Sequence, residues 1–144
     1  MSFTNILVPL DLSDQSIRAF KNALDIATKY NSKITLLTCL EGDAWHHKFY
    51  DARADDELIK KQKKATLSQI ANLQPLIKKS NVTVNSEILK STSVVKDIIN
   101  YAKSRKIDLI VMGSHGRTGV DKLILGSVAN GVSQKASCPI LLIK

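Results

Sequence analysis

The chain is poor in cysteine and aromatic residues, has no long hydrophobic run, and carries none of the common catalytic signatures. Two cysteines in 144 residues do not make a disulfide framework. Cys39 falls at the end of one expected strand and Cys138 just before another. In a parallel sheet those positions lie at opposite edges, so both are expected as reduced, buried thiols. The apolar stretches, such as residues 107–112 with Asp108 inside them, are far too short to span a bilayer. The opening Met-Ser-Phe-Thr-Asn has neither a basic segment nor an apolar signal core. A cytoplasmic location is therefore the expectation. Gly-x4-Gly-Lys-Ser/Thr does not occur, and no triad or metalloprotease motif is visible.

What is present has the profile of an ordinary globular domain. Hydrophobic residues make up 44% and charged residues 24%, too apolar for a disordered chain. The length suits a single domain spanning residues 1–144, large enough to bury a core of normal size. The formal net charge is +8, and residues 90–144 hold nine Lys/Arg against three Asp. A basic C-terminal part attracts phosphates of any kind, or is simply a solvated surface. The densest basic run, Lys60-Lys61-Gln62-Lys63-Lys64, spreads around the solvent side of a helix. Aromatic residues are only 5% of the chain and none interleaves that run, which counts against a nucleic-acid surface.

Strand-like and helix-like segments alternate throughout, with no internal repeat and no low-complexity linker. Residues 5–10 form an apolar run of strand length, followed by cap residues in Asp11-Leu12-Ser13-Asp14. Ile17, Phe20, Leu24 and Ala27 then repeat on one helical face. Residues 33–40 read as a second strand. Residues 41–56 lack periodicity, contain Trp45, His46 and His47, and are expected as a long loop. Adjacent histidines do not chelate a metal from one rigid face. A helix runs from Glu57 to about Gln74, with Ile59, Thr66, Ile70, Leu73 and Ile77 on one stripe. Pro75 is expected to kink or end it. Residues 82–89 alternate as a strand, and Ser91-Thr92-Ser93 cap a helix that packs Val94, Val95, Ile98, Ile99 and Ala102 inward. Residues 107–112 form an apolar strand, 113–125 a loop, 127–136 a short helix and 139–143 a last strand. Such alternation implies an α/β fold: a parallel sheet covered by helices on both faces. Ligands of such sheets bind at the carboxyl ends of the strands, near a switch in strand order.

Two carboxyl-end segments stand out: Pro9-Leu10-Asp11 and the glycine loop Met112-Gly113-Ser114-His115-Gly116-Arg117-Thr118-Gly119, completed by Gly126-Ser127-Val128. Five of the six glycines lie between Gly113 and Gly131. Gly113 leaves the strand where a side chain would block a ligand's approach. Gly116 can take a positive φ and let backbone N–H groups converge on an anion. Gly126 and Ser127 open a helix whose free N–H groups and dipole favour negative charge. The Ser127 hydroxyl can donate to a phosphate oxygen, and Arg117 can add a charge-assisted bond. His115 sits inside the loop, where it either approaches a phosphate or faces solvent.

The spacing Gly113-x2-Gly116-x9-Gly126-Ser127 resembles the nucleotide loop of the universal stress protein family, in its ATP-binding branch. The opening strand from Asn5 through Pro9-Leu10-Asp11 to Ser13 and the closing Ser137-Cys138-Pro139-Ile140-Leu141-Leu142-Ile143 resemble that family's first and last strands. The likeness thus covers essentially the whole chain. It implies a three-layer α/β/α, Rossmann-like fold with a five-stranded parallel sheet of order 3-2-1-4-5, setting Asp11 opposite Gly113. It implies that Asp11, with Pro9 and Leu10 beside it, contacts the ribose side of the nucleotide and helps hold Mg²⁺. It puts Cys39 against adenine, and Gly113, Gly116, Gly126 and Ser127 on the phosphates, with Met112, His115, Arg117 and Val128 adjacent. It implies a homodimer paired through residues 139–143, which also covers an apolar edge strand. Two departures are visible. Lys90-Ser91-Thr92-Ser93 stands where family members often carry Gly-x-Pro, and position 10 is Leu rather than a small or β-branched residue, a change expected to affect packing more than binding.

Three functions compete on the sequence. The first is an ATP-binding regulatory protein of the stress response, a sensor with no recognisable general base. The second is a slow ATPase or phosphotransferase using Asp11, Mg²⁺ and Ser127. The third is a basic nucleic-acid-binding module.

Overall fold

The computed structural model describes residues 2–41, 52–115 and 125–144. Trp45, His46, His47, Gly116 and Arg117 lie outside the described residues. Nine elements follow in strict alternation: β1 (Asn5–Pro9), α1 (Asp14–Tyr30), β2 (Lys33–Glu41), α2 (Ala52–Ser80), β3 (Val84–Ser91), α3 (Val94–Ser104), β4 (Leu109–Gly113), α4 (Ser127–Lys135) and β5 (Ile140–Ile143). All neighbouring strands are parallel and the sheet order is β3-β2-β1-β4-β5, as the resemblance implies.

The interiors of β1 and β4 are apolar and buried on both sides because each side meets helices. Ile6, Val8, Ile34, Leu36 and Val111 pack with Phe20, Ala23 and Leu24 of α1 and with Ile70 and Leu73 of α2. Leu7, Leu37, Ile110 and Met112 point the other way, against Ile98 and Ile99 of α3 and Ala129 and Val132 of α4. The period-2 alternation of the strands thus sorts the chain into two cores and three layers.

Local chemistry sets the ends of the elements. Ser13 caps α1, its hydroxyl accepting from Ser16 N at 3.1 Å, and Ser93 caps α3 by accepting from Lys96 N. At the amino end of the sheet, Asp108 joins the first strand to the fourth. Its carboxylate accepts from Thr4 N at 2.8 Å, the Thr4 hydroxyl at 2.7 Å and Asn5 N at 3.1 Å.

Two expectations fail here, and of the kink or end expected at Pro75 the end does not occur. Helix α2 begins at Ala52, inside the segment expected as loop, and continues through Pro75 to Ser80. A mid-helix proline costs about 3 kcal/mol. Leu76 and Ile77, just past it, pack on the same core as Ile70 and Leu73, and that burial outweighs the lost bond. The cysteines are free, but half-buried rather than buried. Lys60, Lys61, Lys63 and Lys64 are exposed, as expected of a solvated face.

Candidate functional site

The chain lays down β1, β2 and β3 in one direction across the sheet, then returns to place β4 on the other side of β1. Leu7 pairs with Ile110 across that switch. Two connections that leave a sheet in opposite directions open a crevice between them. Here it is a cleft of about 450 Å³, within the usual range for small-molecule sites. Its floor is residues 9–13 after β1, residues 37–41 of β2, and Met112, Gly113 and His115. One wall comes from α2 and the other from α3 and the start of α4.

The turn after β1 is built around Asp11. Its Oδ1 accepts from Ser13 N at 3.0 Å and from the Ser13 hydroxyl. Ser13 in turn caps α1, and Ser16 Oγ donates back to Ser13 O at 2.9 Å. The turn is tight enough to force Leu12 to φ 69°, a conformation that costs a non-glycine residue about 1–2 kcal/mol. One Asp11 oxygen is therefore committed to holding the turn, and Asp11 is one of the residues lining the cleft.

Opposite, β4 ends in Gly113, and the glycine loop starts from a pinned base. Ser114 N donates to Ile143 O at 2.8 Å, and Gly126 N to Ser114 O at 2.8 Å, so the two ends of the loop are tied together. His115 N donates to Gln15 Oε1 of α1 at 2.7 Å, and His115 Nδ1 lies 2.9 Å from Ser114 Oγ. A Cβ at Gly113 would sit 2.9 Å from Gln15 Cβ. The missing side chain thus makes room for α1, where the sequence suggested room for a ligand. Gly126 leads into α4 with no side-chain cap, and Gly126, Ser127, Val128 and Ala129 line the cleft. Uncapped first-turn N–H groups at a helix start attract anions. The charged side chains among the described lining residues are Asp11 and Glu41, both acidic. Toward an anion the described lining therefore offers backbone N–H groups, the Ser127 hydroxyl and His115.

Cys39 lines the α3 side. Burial pushes its thiol up to about 12, and the carboxylates of Asp97 and Glu41 add to the effect. It is a neutral, apolar wall and not a nucleophile. Cys138, at the start of the edge strand, is also raised, chiefly by burial.

Of the residues nominated from sequence, the structure brings Pro9, Leu10, Asp11, Cys39, Met112, Gly113, His115, Gly126, Ser127 and Val128 around this one cleft. Leu10 is 2% exposed and belongs to the core as much as to the cleft. Lys90 and Ser91, at the departure from the family pattern, are not lining residues. Lys90 Nζ instead reaches Asp55 Oδ2 of α2 at 3.4 Å.

The whole α2 wall was missed: Leu58, Gln62 and Thr66, facing Thr38 and Leu40 of β2. A signal existed. Thr38 interrupts the apolar series Ile34, Leu36, Leu40 on one strand face, and Thr66 interrupts the apolar stripe of α2.

Comparison with known proteins gives a consistent result. The family model described as "Universal stress protein family" matches residues 2–144. Universal stress protein MJ0531 of Methanocaldococcus jannaschii is 29% identical over 99% of this chain and 82% of its own length. Among solved structures, universal stress protein UspA from Lactobacillus plantarum superposes with a TM-score of 0.89 at 28% identity, covering 100% of this chain and 99% of that one. More distant structures share the fold: a universal stress protein in complex with cAMP (TM-score 0.73, 22% identity, covering 100% of this chain and 99% of that one), and one from Archaeoglobus fulgidus in complex with dAMP (TM-score 0.69, 23% identity, both chains covered in full). With the fold, the loop ends and nearly its whole length matched, this chain belongs to the universal stress protein family.

Proposed function

We propose that the cleft binds an adenine nucleotide, with ATP as the leading candidate, and that occupancy makes this protein a regulatory sensor in the stress response. One observation carries the reading. An uncapped helix start, a carboxylate with one free oxygen and an apolar strand end lie in a row along β4, β1 and β2, the order of phosphate, ribose and base in a nucleotide. The cAMP and dAMP complexes of structural neighbours support the adenine class.

In this reading Gly126, Ser127 and Val128 take the phosphates, with Gly113, Gly116, His115 and Arg117 around them. Asp11 Oδ2 takes a ribose hydroxyl or one position on a nucleotide-bound Mg²⁺. Magnesium is commonly held by one carboxylate plus phosphate oxygens, and the donor set at Asp11 fits that. The metal would supply charge neutralisation of the phosphates. Cys39, kept neutral, packs against the base.

The chain acts as one domain over residues 1–144 and in the cytoplasm. No described helix is long and apolar enough to cross a membrane. Edge strand β5, with Leu141 38% exposed, pairs with its copy in a homodimer through residues 139–143. Isothermal titration with Mg-ATP and with AMP, from micromolar to millimolar ligand, tests the binding. Heat of binding and a raised melting temperature are expected, and the absence of both would sink the reading.

A further inference from the structure

The cleft is not confined to one side of the sheet. Leu37 and Cys39 face α3 and α4, whereas Thr38 and Leu40 face α2 together with Leu58, Gln62 and Thr66. A flat molecule laid across the strand ends meets both compartments.

The α2-side compartment holds a buried polar group with nothing to bond. Thr38 is 4% exposed, it is one of the residues lining the cleft, and its Oγ1 has no hydrogen-bond partner among the described residues. Two polar side chains of the same wall donate elsewhere. Thr66 Oγ1 donates to Gln62 O at 2.9 Å, and Gln62 Nε2 donates to Glu41 O at 3.3 Å. Buried hydroxyls are almost always bonded, and an unbonded one weakens the fold unless something else completes it. A threonine hydroxyl both donates and accepts, so it can bond either an amine or a carbonyl.

We infer that Thr38 is a specificity-determining residue, whose hydroxyl bonds the exocyclic amine on the far edge of the adenine ring. The inference rests on the nucleotide reading and extends it to the base. With phosphates at α4 and ribose at Asp11, the base lies at the carboxyl end of β2. A purine joins its sugar through the five-membered ring, so the C6 edge of the six-membered ring reaches farthest from the ribose. Thr38, near the carboxyl end of β2, is the buried unbonded hydroxyl in that part of the cleft. The site thus selects a purine carrying a hydrogen-bonding group at C6 over one with hydrogen there, because the latter leaves the hydroxyl unbonded.

The test is titration calorimetry and thermal melting of wild type, Thr38→Val and Thr38→Ser, with AMP and with the 6-unsubstituted purine ribonucleotide. Valine keeps the shape and removes the hydroxyl. Without ligand, Thr38→Val should melt roughly 2–4 °C higher, because an unbonded buried hydroxyl is gone. The same variant should bind AMP about tenfold more weakly. Its preference for AMP over the unsubstituted analogue should narrow by the same factor. Thr38→Ser, which keeps the hydroxyl, should retain that preference. A hydroxyl with only a structural role would give the opposite sign in the melt. Thr38→Val melting lower than wild type, binding AMP within twofold of it, or keeping its full preference overturns the assignment while leaving nucleotide binding intact. Wild type that binds neither nucleotide overturns the nucleotide reading, and this inference with it.

Discussion

Replacing Gly113 with alanine should destabilise the protein by about 1–3 kcal/mol, through α1 rather than through the loop. The added Cβ would lie 2.9 Å from Gln15 Cβ and 3.2 Å from Gln15 Oε1. The first of these partners is fixed to the helix backbone and cannot swing away. Overpacking of this kind costs about 1–3 kcal/mol. Relief requires α1 to shift, which strains the 2.7 Å bond from His115 N to Gln15 Oε1, worth about 1 kcal/mol net. Against these, alanine lowers the entropy of the unfolded chain, a gain of about 0.4–1 kcal/mol. The clash wins. Urea unfolding followed by circular dichroism should show a lower midpoint at unchanged slope, and the melting temperature should fall by about 4–10 °C.

The decisive form is a cycle with Gln15. Gln15→Ala removes the amide but keeps Cβ, so Gly113→Ala should still cost about 1–2 kcal/mol in that background. Gln15→Gly removes Cβ as well and leaves the 3.2 Å approach to the His115 carbonyl, so there Gly113→Ala should cost clearly less than in either other background. Equal cost in all three backgrounds, or no cost in the wild type, would refute the argument.

Two further outcomes follow from local geometry. Lys106 is exposed at φ 52° just past the end of α3, where Ile107 N closes back on Ala102 O at 2.9 Å; Lys106→Gly should therefore raise stability by about 0.5–1 kcal/mol, and a loss in urea midpoint would contradict it. The Cys39 thiol, pushed from 9.0 to about 12, holds its proton more tightly folded than unfolded. Its contribution is thus fully present below pH 9 and is lost as pH rises toward 12. Cys39→Ala should flatten the fall in stability across that window, and iodoacetamide should alkylate the more open Cys138 first; preferential labelling of Cys39 near neutral pH would show the burial argument to be mistaken.

How far the sequence could be read depended on whether the deciding contact was local. Ser13 and Ser93 are visible as caps because the donor they satisfy is three residues away. The strands are visible because β1 and β4 are buried on both faces and so read as unbroken apolar runs. The strand order needed the family resemblance, since periodicity does not say which strand neighbours which. Pro75 does not end its helix because a local rule met a non-local load. The apolar stripe of Ile70, Leu73 and Ile77 runs straight through it, and that stripe, packed on the core with α1, was the better guide. The start of α2 at Ala52 was hidden because Asp55 is buried at 5% exposure against Lys90 of β3, a contact no pattern within α2 could announce.

The same division explains which half of the site was legible. The proposed phosphate end is written in backbone chemistry: glycines and a helix start, which lie together in sequence as they do in the cleft. The proposed base end is written in side chains that meet only after folding. Thr38 and Thr66 stand 28 positions apart, each a single polar residue in an apolar pattern, and either one alone reads as a tolerated threonine. Only with β2 and α2 packed together does one hydroxyl prove satisfied within its own helix and the other not. A buried group left unbonded by its own fold is a cost, and of the three such atoms among the described residues, on Thr38, Gln69 and Ser91, that of Thr38 belongs to a residue lining the cleft. In this family setting, the compensation that the cleft itself points to is a ligand. That makes Thr38 the position where stability and binding should move in opposite directions, a behaviour that neither the glycine loop nor Asp11, which also holds its own turn, can display.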